Sequence, residues 1–248
     1  MDVRIGEFER VDDLQWKGLK IIQNTKKFCF GTDAVLLSHF AGIRKNDRVV
    51  DLGTGTGIIP ILLAGREEHA RIIGVEIQED MVEMAARSIQ LNDLQHRVEI
   101  IAGDIKDAPD MLGKGRFSLV VSNPPYKKAG SGIHNPEDHL AIARHEILCT
   151  LEDVLSAASR LLEVGGRFAM VHRPERIIDI IAGMRRFRLE PKRIRMVHSH
   201  MNKPPKLVLI EAVLHGRPFL NWLPPLYIYD DEFNYTDELK EIYHIPVG

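Results

Sequence analysis

Long apolar runs are missing from this sequence. No stretch approaches the roughly 18 to 20 consecutive apolar residues that a membrane helix needs, and Met1 to Arg10 is charged rather than built like a signal peptide. A soluble, cytoplasmic protein with no membrane partner is expected. Cysteine is nearly absent as well. Cys29 and Cys149 alone make neither a disulfide framework nor a Cys/His zinc spacing, so no metal site is expected. Charge of one sign is also lacking. At a net charge of −2, bulk electrostatics do not announce a nucleic-acid binder, although Gly165 to Arg217 is locally basic, with Arg185, Arg186, Arg188, Lys192, Arg193 and Arg195 in close succession. That stretch reads equally as solvated helix and strand faces or as a phosphate-facing patch. Internal repeats and low-complexity tracts do not occur.

The 248 residues, 44% of them hydrophobic, suit one large α/β domain with short appendages. Apolar runs rich in β-branched residues alternate with helical patterns, the signature of a mostly parallel sheet with helices on both faces. The patterns predict strands at 48–53, 71–76, 97–101, 117–122, 166–172, 192–199 and 206–214, and helices at 32–41, 57–65, 79–92, 151–162 and 174–186. Asp33 and Thr150 are candidate helix caps, and Asp153 completes a capping box with Thr150. His200 to Pro205 is too short for a crossover helix, so the last two strands pair antiparallel. The expected fold is therefore α/β, a doubly wound seven-stranded sheet, mostly parallel, with an antiparallel last strand pair. Residues 1–47 form an amino-terminal extension, 48–216 the main domain, and 217–248 an acidic tail with Asp231, Glu232, Asp237, Glu238 and Glu241.

Two motifs carry the chemistry. The loop Asp51-Leu52-Gly53-Thr54-Gly55-Thr56-Gly57 follows the first predicted strand, so its glycines can turn tightly and present a helix amino terminus to a nucleoside-bearing ligand. A dinucleotide loop would want its third glycine where this chain has Ile58, which leans away from NAD. Glu76, ending the second strand, can accept both ribose hydroxyls. Asp104 can accept from an adenine amine with Ile105 packed on the ring, or can simply cap the turn before Lys106.

The second motif, Asn123-Pro124-Pro125-Tyr126, follows the apolar run Phe117 to Val121. It offers a side-chain amide oxygen, a proline carbonyl and an aromatic face at a strand's carboxyl end, where open α/β sheets bind ligands. An aryl amine donates its lone pair into the ring and attacks a methyl group poorly. Two acceptors, the Asn123 oxygen and the Pro124 carbonyl, can each take one amine hydrogen and favour a pyramidal nitrogen in the transition state. Proline fixes φ and removes competing donors. Tyr126 can stack on the base, a contact worth about 1 to 3 kcal/mol in nucleic-acid systems. The attacking nitrogen becomes cationic and acidic, so no strong general base is required, and His139 and His145 are not nominated.

With these motifs in place, the chain resembles the Rossmann-like class I S-adenosylmethionine-dependent methyltransferases. The resemblance implies S-adenosylmethionine as cofactor, with contacts from Asp51, Gly53, Thr54, Gly55, Gly57, Glu76, Ile77, Asp104, Ile105 and Asn123. Asn123, Pro124, Pro125 and Tyr126 then form the catalytic motif of enzymes that methylate planar nitrogens. The segment Phe28-Cys29-Phe30-Gly31-Thr32-Asp33-Ala34-Val35-Leu36-Leu37 and Ala143-Arg144-His145-Glu146 sharpen the likeness to the bacterial family that methylates N6 of adenine 37 in a valine transfer RNA. This likeness implies that Phe30, Gly31 and Thr32 in the amino-terminal extension close over the cofactor. Lys127, Lys128 and Arg144 would then meet RNA, the anticodon loop of the tRNA being the partner.

Three competitors use related motifs. Glutamine-N5 methylation of a release factor normally brings a sizeable helical domain before the first strand, and fewer than fifty residues precede Arg48 here. DNA adenine methylation normally brings a separate target-recognition domain. Ribosomal-RNA guanine-N2 or adenine methylation is the nearest rival, since guanine enzymes often carry Phe in the place of Tyr126. A catalytically silent module on this fold would not need both cofactor acids and the proline pair.

Overall fold

Central-strand residues with no polar alternation bury both faces, and that demand organises the molecule. A computed structural model describes residues 3–27, 29–124 and 149–246. An amino-terminal hairpin, β1 (Glu9–Asp13) and β2 (Lys20–Asn24), precedes α1 (Thr32–Phe40). The alternating body follows: β3 (Arg48–Leu52), α2 (Ile58–Arg66), β4 (Arg71–Glu76), α3 (Glu79–Leu91), β5 (Val98–Ala102), α4 (Ala108–Leu112) and β6 (Phe117–Ser122). After it come α5 (Leu151–Leu161), β7 (Leu162–His172), α6 (Ile177–Arg186), β8 (Leu189–His198) and β9 (Pro205–Leu214). Two short strands, β10 (Asn221–Trp222) and β11 (Leu226–Tyr227), and α7 (Asp237–Ile242) end the described chain.

The sheet runs β10-β8-β9-β7-β6-β3-β4-β5, with β11 also on β8. Strands β3 to β7 are parallel, and β9 lies antiparallel between β7 and β8, as expected from the short His200 to Pro205 connection. Strand order reverses between β3 and β6, which makes a crevice at their carboxyl ends. Val49, Leu119, Val121 and Ala169 face one core with α1 and α2, while Val50, Val120, Phe168 and Met170 face the other with α5 and α6.

The appendages are folded onto this body. Ile21 and Ile22 of the hairpin are fully buried, and the Ile22 N–H donates to Ser88 Oγ of α3 at 3.0 Å. Asn92 brackets Lys20, accepting from its N–H at 2.8 Å and donating to its carbonyl at 2.6 Å. The acidic segment from 217 extends the sheet along β8 and buries Leu226, Leu239 and Ile242 in the first core. Among the described residues no helix is long and apolar enough to cross a membrane.

Two local expectations need correction. The residue capping α1 is Gly31, with no side-chain cap bond, so Asp33 sits inside the first turn instead. The helix expected from 174 opens as a 3-10 turn, Pro174–Arg176, before α6 proper. The Thr150 capping box is present, with Thr150 Oγ1 accepting from the Asp153 N–H at 3.2 Å and the Asp153 carboxylate from the Thr150 N–H at 2.8 Å.

Candidate active site

The glycine loop and the Asn-Pro motif leave neighbouring strands at the reversal point: Leu52 of β3 is in register with Ser122 of β6, and Ser122 Oγ donates to the Leu52 carbonyl at 2.9 Å. Gly53, Gly55 and Gly57 take φ values of 77°, 55° and 81°, the left-handed region that side chains disfavour. At Gly57 a Cβ would also stand 3.2 Å from that of Ala85, so α2 starts hard against α3.

Glu76 is buried at the end of β4 and is fully organised. Its carboxylate accepts from the N–H groups of Gly55 at 2.9 Å, Ile77 at 3.0 Å and Gln78 at 3.0 Å, and from the Gln78 side chain at 3.2 Å. Asp51 is different. It lies wholly beneath the loop, and neither carboxylate oxygen has a hydrogen-bond partner. Burial, with the Glu76 charge adding to it, pushes its pKa up to about 7; the nearby Thr54 hydroxyl pulls the other way without a hydrogen bond of normal geometry. An orphaned buried carboxylate beside a second acid suits a cationic ligand, and three left-handed glycines leave the backbone bare for it. The residues present therefore fit S-adenosylmethionine, whose sulfonium and ammonium groups outweigh its carboxylate.

Asp104 forms the turn expected of its structural alternative, accepting from the Lys106 N–H at 2.9 Å and pairing with Lys106 Nζ at 3.1 Å. Ile105 reaches the loop, its Cδ1 lying 3.7 Å from the point where a Gly53 Cβ would be. Asn123 is half-buried and Pro124 buried. Asn123 Nδ2 donates to Asp33 Oδ2 at 3.1 Å, which joins β6 to the first turn of α1. The Phe30 N–H donates to buried Gln23 Oε1 at 2.9 Å, and Thr32 meets the hydroxyl of half-buried Tyr243. Phe28, Pro125, Tyr126, Lys127, Lys128, His139, Arg144 and His145 lie outside the described residues.

Sequence reasoning missed Gln23, Tyr243 and the Asp33 contact. Asp33 stood out as a candidate helix cap and as part of the segment resembling a cofactor-closing one, without its partner Asn123, and Gln23 carried no local signal. Much of the basic stretch is internally paired, which favours its structural reading: Arg185 with Glu190 at 3.1 Å, Arg193 with Glu211 at 2.8 Å and Arg195 with Glu238 at 2.7 Å. A cationic cleft of about 450 Å³ between Gly42, Arg167 and Arg193 lies toward the amino ends of the strands, away from this site.

A methyltransferase-domain family model matches residues 43–201. The tRNA1(Val) (adenine(37)-N6)-methyltransferase of Porphyromonas gingivalis is 35% identical, over 81% of this chain and 80% of its own length. The enzyme of the same name from Pedobacter heparinus is 29% identical over 91% and 94%. Among solved structures, a predicted O-methyltransferase from Agrobacterium tumefaciens superposes with a TM-score of 0.71 at 24% identity, covering 86% of this chain and 96% of that one. At that identity the superposition speaks for the fold. The chain belongs to the class I methyltransferase family that includes these bacterial tRNA1(Val) adenine-37 N6-methyltransferases.

Proposed function

We propose that this protein transfers the methyl group of S-adenosylmethionine to the exocyclic N6 of an adenine in transfer RNA, adenine 37 of a valine tRNA. The observation that carries this reading is the placement of Asn123 beside the glycine loop across the β3–β6 reversal. Gly53, Thr54, Gly55 and Gly57, with Glu76, Ile77, Asp104 and Ile105, would hold the cofactor along the carboxyl ends of β3 to β5, and Asp51 beneath them would balance its charge. Phe30, Gly31 and Thr32 would close the other side. When bound, the cofactor supplies an electrophilic methyl group on a sulfonium.

The chain's own residues then have to make a poor nucleophile attack. The Asn123 amide oxygen and the Pro124 carbonyl each accept one amine hydrogen, which localises the nitrogen lone pair and aims it. Both bonds strengthen as positive charge grows on nitrogen, so they stabilise the transition state more than the ground state. Tyr126 stacks on the base once it has left the anticodon-loop stack. Lys127, Lys128 and Arg144 position loop phosphates. The proton then leaves the methylated amine for water. Such an enzyme works where tRNA is matured, in the cytoplasm.

Incubation with methyl-labelled cofactor and separate pools of tRNA, ribosomal RNA, DNA and release factor tests the reading. Label should enter tRNA and be recovered after nuclease digestion as N6-methyladenosine. Label confined to ribosomal-RNA guanine, or to protein, would overturn the substrate assignment.

A further inference from the structure

We propose that Asp33 is a positioning residue that decides which end of the Asn123 carboxamide faces the substrate amine; the inference rests on the methyl-transfer reading of this site. The two side chains are 90 positions apart and come from different elements, yet Asn123 Nδ2 donates to Asp33 Oδ2 at 3.1 Å. A carboxamide has one donating and one accepting end, and an ionised carboxylate can only accept. The amide nitrogen therefore turns toward Asp33, and the amide oxygen is sent the other way. The reverse orientation would set oxygen lone pairs against oxygen lone pairs. For a substrate whose reacting group is an N–H donor, only the first orientation is productive.

Asp33 is itself held in place. Its Oδ1 accepts from the Ala34 N–H at 3.0 Å. Room for that carboxylate comes from Gly31, where a Cβ would stand 2.9 Å from Oδ1. A helix-capping role does not account for the arrangement, because the cap of α1 is Gly31. A bond to a charged acceptor also polarises the amide, leaving more negative charge on the oxygen that meets the developing cation.

The test compares Asp33→Ala, Asp33→Asn, Asn123→Ala and the double variant Asp33→Ala/Asn123→Ala, each checked for folding by thermal melting. Asp33→Ala should lower kcat for tRNA methylation about 10- to 100-fold, the range for losing a hydrogen bond to a charged group, while cofactor Kd and tRNA KM stay within about twofold. Asp33→Asn retains an accepting oxygen and should recover part of the loss. In the Asn123→Ala background, Asp33→Ala should cost nothing more. A second readout needs no activity: in protein labelled with nitrogen-15 only on asparagine, the Asn123 side-chain amide pair, identified by its disappearance in Asn123→Ala, should move in Asp33→Ala. An unmoved pair, an unchanged kcat, or additive losses in the double variant would overturn the proposal. A wild type that methylates no RNA, while its Asn123 pair still responds to Asp33→Ala, would overturn the tRNA reading and support the Asp33 contact.

Discussion

Asp51 carries a cost to stability that builds up through the acid range and is borne in full from neutral pH upward. Its carboxyl stays protonated in the fold up to about 7 but ionises near its ordinary value of 3.8 once the chain unfolds. Between those values the native state binds the extra proton, so stability is greatest at the acid end and falls as pH rises through the window. The difference in unfolding free energy between wild type and Asp51→Asn should therefore slope by about 1.4 kcal/mol per pH unit there and flatten outside it. Chemical denaturation at a series of pH values measures this, and a flat difference would mean that Asp51 is ionised in the fold. Asp51→Asn should also weaken binding of the cationic cofactor. Asn123→Ala should do the opposite: calorimetry should find cofactor affinity retained, while a methyl-transfer assay finds kcat down about 10²- to 10³-fold, the scale for removing one preorganised stabilising group. At this scale the loop, Glu76, Asp104 and Asn123 could be singled out as candidates because each lies at or just past a strand's carboxyl end. Gln23 and Tyr243 were not, since their partners are assigned by packing and not by neighbourhood.

Among the elements, seven strands and five helices could be read from periodicity because each buries a face the sheet or its helices must cover. Their boundaries moved for identifiable reasons. β7 starts at Leu162, ahead of the expected start at 166, because Leu162 pairs with Phe117 before an irregularity in the β6–β7 register. β8 starts at Leu189 and passes through Pro191 beside another register shift, a place where a strand tolerates proline. The β1–β2 hairpin escaped detection because Glu9–Asp13 is mostly charged and largely exposed, and its anchors Ser88 and Asn92 lie on α3 and just past its end. Two substitutions test element ends. Gly57→Ala places a side chain at a φ of 81° and against Ala85, so it should cost at least about 1 to 2 kcal/mol and weaken cofactor binding, both measurable on one sample by melting and calorimetry. Thr150→Ala removes the capping box of α5 and should cost about 1 kcal/mol in urea denaturation with cofactor affinity unchanged.

For the whole molecule, a buried ionic knot ties regions far apart in sequence. The Arg167 guanidinium of β7 donates to the Asp47 carboxylate at 2.6 Å and to the Ala41 and Gly42 carbonyls, both at 2.9 Å, just past α1. Asp47 also accepts from the Arg44 N–H and from Ser118 Oγ, both at 2.7 Å. Arg167→Ala would leave Asp47 buried without its counter-charge and should destabilise by about 3 to 5 kcal/mol, seen as a lower denaturation midpoint at unchanged slope. Replacing both partners with apolar residues should cost far less; an equally large loss would point to packing instead. The sequence by itself determined the layered α/β body, the loop of three glycines and the amide-proline motif, because hydrophobic period and local backbone demands are written along neighbouring residues. Tertiary structure alone decided that Asp33 meets Asn123, that Gln23 holds Phe30, and that the β1–β2 hairpin and the β10–α7 segment are packed against the body. Those contacts depend on which surfaces the folded sheet brings together, and no local pattern encodes that.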